Sequence, residues 1–374
     1  MLNHLKKLDW LLIGSVLALC AISVLELWSI DKGALAAGQA SNFFVKQGIF
    51  LLIGLTMMLL VSLVDARLYR NRSLFLLLFY FGVLILLALV LFFNQKIRGT
   101  AGWFRFGELN FAPVELAKFA VVLILAKYFS GRHIEVYRVR HIIVSGLYAS
   151  LPIALVLLQP DLGSTLVLMA IWLGIVLLSG MKQRHLVIVL LVGVLISVLA
   201  WSFVFKTYQK ERILTFLNPT KDPLGYSYNL IQSKIAIGSG GLWGKGLGQG
   251  SQGQLNFLPE KHTDFIFSVL AEEWGFIGVA FFFAFFALFF WRLMKIIMAA
   301  ANNFFRLFVA GYAIMIFAQI LINVGMCLGL LPITGIALPF LSYGGSNLLI
   351  NLMMLGVVQN IALQTKESTR LGEE

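Results

Sequence analysis

The sequence predicts an all-α integral membrane protein with ten transmembrane helices and one large extracytoplasmic loop, and composition gives the first evidence. Hydrophobic residues make up 60% of the 374 positions and charged residues 12%, whereas a typical soluble domain has about 25% charged residues. The mean hydropathy is +0.90. The net charge of +12 does not indicate a nucleic-acid partner, because Lys and Arg punctuate the apolar segments instead of clustering on one soluble surface.

The second observation is the length of the apolar segments, since about 20 residues suffice for a helix to cross a bilayer. The first segment follows a basic start and precedes the small residues Ala34 to Ala36, as a signal peptide would, but its near-span length favours a retained helix. Cys20 and Cys327 lie in such segments and indicate neither a disulfide framework nor a metal site. The predicted spans are residues 9–30, 44–64, 74–93, 113–129, 142–158, 162–180, 186–205, 264–291, 306–330 and 343–363.

The third observation is the distribution of basic residues, because short loops rich in Lys and Arg stay in the cytoplasm. An even number of spans places both termini on one side, and the short connections of that side carry most of the basic residues. The opposite short loops carry Lys32, Lys46, Lys96, Arg98 and Arg105. The predicted cytoplasmic set is Lys6, Lys7, Arg67, Arg70, Arg72, Lys127, Arg132, Arg138, Arg140, Lys182, Arg184, Arg292, Lys295, Arg306, Lys366 and Arg370.

Residues 206–263 form the one sizeable region outside the predicted spans, so residues 1–374 are interpreted as a single membrane domain with a large outer loop. A long loop can be translocated despite its basic residues. Part of this loop has apolar residues at helical spacing, which predicts a helix lying along the membrane surface. The residues at that spacing are Tyr226, Leu230, Ile231, Lys234 and Ile235.

The Gly-rich run "IGSGGLWGKGLGQGSQG" follows the predicted surface helix and superficially resembles a phosphate-binding loop. It fails the Walker pattern, because Ser239 stands where the first glycine is required and Gly246 follows Lys245 where Ser or Thr is required. Two interpretations stay open. The run is a tight-turn loop against the membrane, or its backbone N–H groups and Lys245 bind an anionic lipid headgroup.

Polar and ionisable residues gather at the outer ends of four predicted spans, and an ionisable residue in a span indicates function by default. Glu115 and Lys118 in "APVELAK" lie three residues apart on one helix face and can pair. Asp161 in "QPDLGS" precedes the sixth span, and Asp264 opens the eighth. Their placement at one depth and on one side predicts a shared site. The tenth span opens with "LPFLSYGGSN", which contains Ser342, Ser346 and Asn347.

Each of these residues also has a structural explanation when taken alone. Glu115 and Lys118 can be a buried pair that fixes helix packing. Asp161 can supply turn chemistry, and Asp264 or Thr263 can cap the eighth helix.

The stretch "YNLIQSKIAIGSGGLWGKGLGQGSQGQLNFLPEKHTDFIFSVLAEEWG" resembles the signature of the SEDS (shape, elongation, division and sporulation) family. The segments "QPDLGS" and "LSYGGSN" are similar to further motifs of that family, and the resemblance covers about residues 8–365. The forms "IGSGG" and "GKG" are more similar to the elongation branch than to the division branch.

The resemblance implies a peptidoglycan glycosyltransferase that polymerises lipid II on the outer face of a bacterial cytoplasmic membrane during cell elongation. It also implies a class B penicillin-binding protein as transpeptidase partner, together with other elongation-complex membrane proteins and membrane lipids. The family's essential carboxylate corresponds to Asp264, its intramembrane acid and base to Glu115 and Lys118, and its cavity aspartate to Asp161.

From this implied reaction we expect Asp264 to be the general base for the 4-hydroxyl of the acceptor N-acetylglucosamine, which attacks the anomeric carbon of the donor N-acetylmuramic acid. An α-linked donor becomes a β-1,4 linkage, so the reaction inverts and requires direct displacement rather than a carboxylate nucleophile. The leaving pyrophosphate requires charge stabilisation, for which Lys118 and a divalent cation such as Mg²⁺ or Mn²⁺ are candidates. Further candidate substrate-binding residues are Arg212, Lys234, Lys245, Lys261, His262, Ser342, Ser346 and Asn347.

A continuous eighth helix would be about 42 Å long against a hydrocarbon core of about 30 Å, which places Asp264 at headgroup depth. Glu272 would lie about 12 Å deeper and about 80° round the axis, and would line the floor of the same cavity. A structural role is expected for Glu273.

The competing functions are a flippase for lipid-linked precursors and a scaffold. Transport is disfavoured because the polar groups avoid the midplane and the spans lack paired Gly/Pro-interrupted helices.

Overall fold

The structure, a computed structural model, describes residues 2–36, 38, 41–93, 102–106, 109–131, 139–203, 207–218, 225 and 227–372. The apolar runs fold into helices because a helix satisfies its backbone hydrogen bonds within one segment, as a bilayer requires. The helices are α1 (Leu2–Lys7), α2 (Trp10–Ala36), α3 (Phe43–Leu63), α4 (Arg67–Asn71), α5 (Ser73–Phe93), α6 (Pro113–Ser130), α7 (Val139–Leu158), α8 (Leu162–Leu178), α9 (Gln183–Phe203), α10 (Thr207–Leu217), α11 (Tyr228–Gly240), α12 (Ser251–Gln254), α13 (Ile266–Ala299), α14 (Asn303–Leu328) and α15 (Gly345–Gly372), and the strands are β1 (Phe104–Phe106) and β2 (Leu109–Phe111).

The longest helices coincide with the predicted spans, and the all-α membrane fold is confirmed. Seven of the described helices are long and apolar enough to cross a membrane, namely α2, α3, α5, α7, α13, α14 and α15. Helix α8 and the first part of α9 are apolar but shorter, and α6 carries Glu115, Lys118 and Lys127. The number of ten spans therefore stays a prediction.

Helices α6, α14 and α15 form the centre of the bundle. Helix α15 packs along α3, α14 packs on α6, α8 and α13, and α13 also packs on α2. Helix α6 is buried from Ala117 to Ala126, and Lys118 is the one charged residue within that stretch. Helices α3 and α5 face largely outward. The central helices are thus fixed by neighbours on several sides, and they carry much of the candidate site.

Polar contacts between helix ends hold the predicted cytoplasmic side of the bundle. Arg292 in α13 forms an ion pair with Asp9, which is buried just before α2. In α15, Asn360 Nδ2 donates to the Ser62 carbonyl at 2.7 Å, and its Oδ1 accepts the Ala66 N–H at 2.9 Å. This end of the bundle is therefore pinned independently of the opposite end, where the candidate site lies.

Helix α13 does not run as one rod, which corrects the prediction of a continuous eighth helix. Its backbone leaves the helical region at Gly275, where φ is 65° and ψ is −167°. The Gly-rich run packs against this break. The Phe276 N–H donates to the Gly241 carbonyl at 2.9 Å, and the Lys245 N–H donates to the Glu272 carbonyl at 3.0 Å. The predicted length of about 42 Å is wrong, because the residues before the break form a separate short helix.

Replacing Gly275 with Ala is expected to destabilise the protein by about 2–4 kcal/mol. A Cβ at this position would lie 2.2 Å from the backbone N of Gly244, and the positive φ also disfavours an L side chain. Thermal unfolding of the purified variant should show a lower midpoint than the wild type. Gly238→Ala in α11 is the matched control, because its added Cβ would meet open space. Equal midpoints for the two variants would contradict this prediction.

The described part of the outer loop contains α10, α11 and α12. Helix α11 confirms the predicted helix, while its position along the membrane surface stays a prediction. Its buried residues are Leu230, Ser233, Ala236 and Gly240, and the helix packs on α13 and α14. Of the predicted set, Leu230 is buried, whereas Ile235 is 45% exposed. Helix α11 is therefore bound to the bundle by small and apolar residues. Tyr226 lies outside the described residues.

A short antiparallel hairpin, which the sequence patterns did not predict, precedes α6. Its strands pair Phe104 with Phe111, and the chain then enters α6 through Ala112. The Ala112 N–H donates to Ser346 Oγ at 3.1 Å. This contact ties the first turn of α6 to the first turn of α15, at the predicted outer side.

Candidate active site

A buried ion pair lies in the first turns of α6, where Pro113 begins the helix. Lys118 Nζ donates to Glu115 Oε1 at 2.7 Å, and the two side chains are 1% and 12% exposed. The second carboxylate oxygen of Glu115 accepts Asn347 Nδ2 at 3.0 Å. The predicted pairing on one helix face is therefore present, and Asn347 joins it from α15.

Asp161 stands at the mouth of α8, where its Oδ1 accepts the Ser164 N–H at 2.9 Å. Loss of hydration raises the pKa of the Asp161 carboxyl, while the hydrogen bonds from Ser164 and the positive charge of Lys118 oppose that rise. Asp161 therefore caps α8, which is a structural role of the kind that the sequence left open. The same carboxyl also lies within the electrostatic reach of the α6 pair.

Asp264 does not cap the helix that follows it. The N-cap of α13 is Phe265, and no side chain caps this end, so the capping alternative for Asp264 is wrong. The loop between α14 and α15 lies close to its carboxylate, since a Cβ on Gly335 would lie 3.3 Å from Asp264 Oδ2. The same loop touches the mouth of α8, because a Cβ on Gly163 would lie 3.0 Å from the Thr334 carbonyl oxygen. This loop therefore joins Asp264 to the Asp161 end of the site.

The backbone carbonyls of residues 262–264 each accept a hydrogen bond from α14 or from the segment that leads into α15. This arrangement anchors the Asp264 stretch to two central elements of the bundle. The donors are the Tyr343 N–H to His262 at 2.9 Å, Ser342 Oγ to Thr263 at 2.6 Å and Asn323 Nδ2 to Asp264 at 2.9 Å.

The predicted depth of Asp264 can be compared with its contact to α14. Asn323 lies about 20 residues after Asn303, the first residue of α14, and hence about 30 Å along the helix axis. That length is similar to the hydrocarbon core of a bilayer. The position of Asp264 at headgroup depth on the outer side stays a prediction.

An apolar groove of about 1020 Å³ lies between α7, α8 and α9. Its wall is almost entirely aliphatic and aromatic, so it suits a hydrocarbon chain rather than a sugar. Residues along its length include Ile142, Met169, Trp172, His185, Val189 and Trp201.

Glu272 does not line a cavity together with Asp264, which corrects its predicted place. It is fully buried, and its Oε1 accepts Lys245 Nζ at 2.7 Å and the Gln252 N–H at 3.1 Å. Glu272 thus holds the Gly-rich run against α13. Since Lys245 is engaged by Glu272, the contacts favour the tight-turn interpretation of this run over headgroup binding.

Glu273 has contacts of the same kind, in agreement with its expected structural role. Its carboxylate accepts Ser29 Oγ at 2.7 Å and the Gly248 N–H at 3.0 Å. The adjacent acids of α13 therefore anchor the Gly-rich run and α2.

Two serines that were predicted to bind substrate are instead buried against the backbone. Ser342 Oγ accepts the Leu338 N–H at 2.8 Å while it donates to the Thr263 carbonyl. Ser346 Oγ donates to the Asn110 carbonyl at 3.1 Å. Because both hydroxyls are occupied in this way, the geometry assigns them to holding the site together rather than to direct contact with a sugar.

Lys261 and His262 also have structural partners in place of a predicted substrate. Lys261 is buried, donates to Asn256 Oδ1 at 2.7 Å and also contacts the Gly253 carbonyl. Burial lowers the pKa of the Lys261 amine. The His262 ring stacks on Phe43 with centroids 4.2 Å apart. These two side chains brace the segment that leads to Asp264.

Lys234 is the predicted cation that remains exposed. Its side chain lies over the end of α14, since a Cβ on Gly329 would be 2.2 Å from Lys234 Cε. The carboxyl end of a helix favours a cation. Arg212 belongs to α10, but its side chain lies outside the described part of the structure.

Several residues of or near the site were missed by sequence reasoning. Asn323 and Gly335 contact Asp264, as described above. Glu26 is fully buried in α2 near Glu273. A usable signal existed for Glu26, because an acid within a predicted span indicates a specific role. Asn323 gave a weaker signal, since a single amide in an apolar run has no diagnostic spacing.

Within the described ranges, no group of three or more His, Cys, Asp and Glu side chains could hold a metal ion. The Asp264 neighbourhood supplies one carboxylate with backbone and amide groups around it. These residues do not fit a dedicated protein site for Mg²⁺ or Mn²⁺, which typically take several oxygen ligands.

Comparison with known proteins places this geometry in context. Residues 8–367 match the FtsW/RodA/SpoVE family model, described as cell cycle protein. The chain is 37% identical over 360 residues to the peptidoglycan glycosyltransferase MrdB of Escherichia coli, covering 96% of this chain and 94% of that protein. It is 35% identical over 357 residues to stage V sporulation protein E of Bacillus subtilis, covering 95% and 96% of the two chains.

Two solved structures are similar to this protein over nearly its whole length. A chain from a study of how a peptidoglycan synthase complex coordinates polymerization and crosslinking superimposes with a TM-score of 0.80 at 34% identity, covering 96% of this chain and 98% of that one. The rod shape determining protein RodA of Thermus thermophilus superimposes with a TM-score of 0.68 at 32% identity, covering 95% and 96%.

Proposed function

Because the chain belongs to the FtsW/RodA/SpoVE family of cell cycle proteins, we propose that it polymerises lipid II into β-1,4 glycan strands with Asp264 as the general base. The chain is a multi-pass membrane protein and a peptidoglycan glycosyltransferase of the elongation type. One observation supports the base assignment above the others. Asp264 does not cap its helix, and its backbone carbonyl is held by Asn323 next to the loop that borders its carboxylate.

The proposed reaction is a single displacement. Asp264 accepts the proton of the acceptor 4-hydroxyl as that oxygen forms a bond to the anomeric carbon of the donor. The bond from the anomeric carbon to the pyrophosphate oxygen breaks, and its electron pair leaves with the polyprenyl pyrophosphate. Attack opposite the leaving group converts an α-linked donor into a β-linked product.

The pyrophosphate requires positive charge more than it requires an acid, because it leaves as a stable anion. Lys118 is buried with Glu115 at the mouth of α6, and its charge reaches Asp161. Lys234 is exposed near the end of α14. We assign Lys118 to the polar wall of the site and Lys234 to the headgroup surface. A divalent cation would have to be held largely by the pyrophosphate, since the described residues do not form a ligand set.

The lipid part of the substrate has a place of its own. The apolar groove between α7, α8 and α9 suits a polyprenyl chain, because its walls are almost entirely apolar. The proposed topology has both termini in the cytoplasm and the Asp264 end on the outer face of a bacterial cytoplasmic membrane. Glycan would then be made on the side where it is crosslinked.

The proposed partner is supported by a solved structure of similar fold, which comes from a study of polymerization and crosslinking by a peptidoglycan synthase complex. A polymerase in such a complex needs a crosslinking enzyme, and the proposed one is a class B penicillin-binding protein. Other elongation-complex membrane proteins complete the proposed assembly.

The test is to incubate purified full-length protein with detergent-solubilised lipid II, alone and with the penicillin-binding protein, and to separate the products on a glycan gel. A ladder of glycan strands is expected in at least the second reaction. The proposal fails if both reactions lack strands. Labelled lipid II crossing liposome bilayers without polymer would indicate a flippase, and the absence of both activities would indicate a scaffold.

A further inference from the structure

We propose that Asn323 is a positioning residue that fixes the Asp264 carboxylate against the loop between α14 and α15. Neither the sequence patterns nor the assigned functional residues include Asn323. The inference rests on the proposed role of Asp264 as the base. It adds that Asn323 determines where the Asp264 carboxylate lies.

The Asn323 side chain is fully buried near the outer end of α14. Its Nδ2 donates to the Asp264 carbonyl at 2.9 Å and to the Ile336 carbonyl at 2.7 Å. An amide nitrogen has two hydrogens, so both are used. Because both partners are carbonyl oxygens, the contacts fix which end of the amide faces them.

These two bonds join separate segments at the reactive carboxylate. One leads to Asp264 itself, and the other leads to Ile336, the neighbour of Gly335. Gly335 has a φ of +72°, and a Cβ there would lie 3.3 Å from Asp264 Oδ2. One side chain therefore bonds both to the backbone of Asp264 and to the loop that borders its carboxylate.

The helix that follows Asp264 cannot supply this constraint. The N-cap of α13 is Phe265, without a side-chain cap, and the helix breaks ten residues later at Gly275. By contrast, α14 is packed between α6, α8 and α13. The hydrogen bond from Asn323 thus holds Asp264 in a fixed position relative to the central helix α14. Misplacing a reacting group by about 1 Å can cost about 100-fold in rate.

The decisive comparison is between Asn323→Ala and Asn360→Ala in the purified full-length protein. Asn360 is a matched control, because it is also buried and also bonds to two backbone groups, the Ser62 carbonyl and the Ala66 N–H. It lies at the opposite end of the bundle from Asp264. Each variant is assayed for glycan synthesis from lipid II, with kcat and KM normalised to folded, monodisperse protein.

We expect Asn323→Ala to lower kcat by about 10- to 100-fold while KM stays within about threefold of wild type. Asn360→Ala should keep kcat within about threefold of the wild type, even if its thermal midpoint falls as far as that of Asn323→Ala. Equal kcat losses in the two variants would overturn the proposal, because both would then reflect general destabilisation. A change confined to KM would overturn it too, since that result assigns Asn323 to substrate binding.

Gly335→Ala keeps the proposal testable if Asn323→Ala does not fold. The added Cβ would lie 3.3 Å from Asp264 Oδ2, and the positive φ also disfavours an L side chain, so the loop must shift relative to the carboxylate. The same fall in kcat at nearly unchanged KM is expected, and wild-type kcat would contradict the proposal. Failure of the proposed function looks different, because the wild type would then make no glycan, or Asp264→Asn would remain active.

Discussion

Asp264→Asn is expected to lower glycan synthesis by at least about 100-fold, while the protein still folds and binds lipid II. The amide has nearly the same size and shape as the carboxylate but cannot accept the proton of the attacking hydroxyl. The bonds that hold this stretch use backbone carbonyls of residues 262–264 as acceptors, so the substitution leaves them in place.

The matched control for this variant is Asp31→Asn. Asp31 is also a buried acid near the predicted outer side, and its Oδ2 accepts the Phe44 N–H at 3.0 Å. It has no part in the proposed reaction, so glycan synthesis should stay within a few-fold of wild type. Normal polymer from purified Asp264→Asn would contradict the base assignment, and equal losses in the two variants would point to misfolding.

Lys118→Met is expected to lower glycan synthesis by about 10- to 100-fold. The substitution removes the positive charge that is paired with Glu115 at 2.7 Å. The same charge lowers the pKa of the Asp161 carboxyl, which loss of hydration raises. The substitution also leaves Glu115 with Asn347 as its remaining described partner, and breaking a buried pair in this way costs about 3–5 kcal/mol. The variant should therefore lose both activity and thermal stability, which requires a second variant to separate the two effects.

The double variant Glu115→Gln with Lys118→Met makes that separation. Two neutral side chains of similar volume remove the uncompensated carboxylate, so the thermal midpoint should recover toward the wild type. If Lys118 contributes charge to the reaction, glycan synthesis stays low although stability is restored. Recovery of both activity and stability would show that the pair serves packing alone.

The sequence predicted the membrane fold well because the signal is physical and local. A run of about 20 apolar residues has few alternatives to a spanning helix. The break of α13 at Gly275 was not predictable in the same way. Its cause is the packing of the Gly-rich run against the break, and a single glycine in an apolar run gives no sign of a partner so distant in the chain.

The candidate site was predicted in outline and altered in detail. Topology predicted Glu115, Asp161 and Asp264 on one side. In the structure the loop between α14 and α15 joins Asp264 to the mouth of α8, and Glu115 is bonded to Asn347 of α15. Polarity alone could not tell which groups were free for substrate, since the hydroxyls of Ser342 and Ser346 are occupied by the backbone. Such pairings depend on tertiary contacts, which a single sequence does not reveal.

The most direct test of the account is to measure the bond that the wild-type protein makes. Lipid II should yield one polyprenyl pyrophosphate for each new glycosidic bond, and the strands should be cut by a muramidase specific for β-1,4 linkages. That result is expected from a single inverting displacement with Asp264 as base. Strands that resist this enzyme, or lipid II that crosses a bilayer unchanged without forming strands, would contradict it.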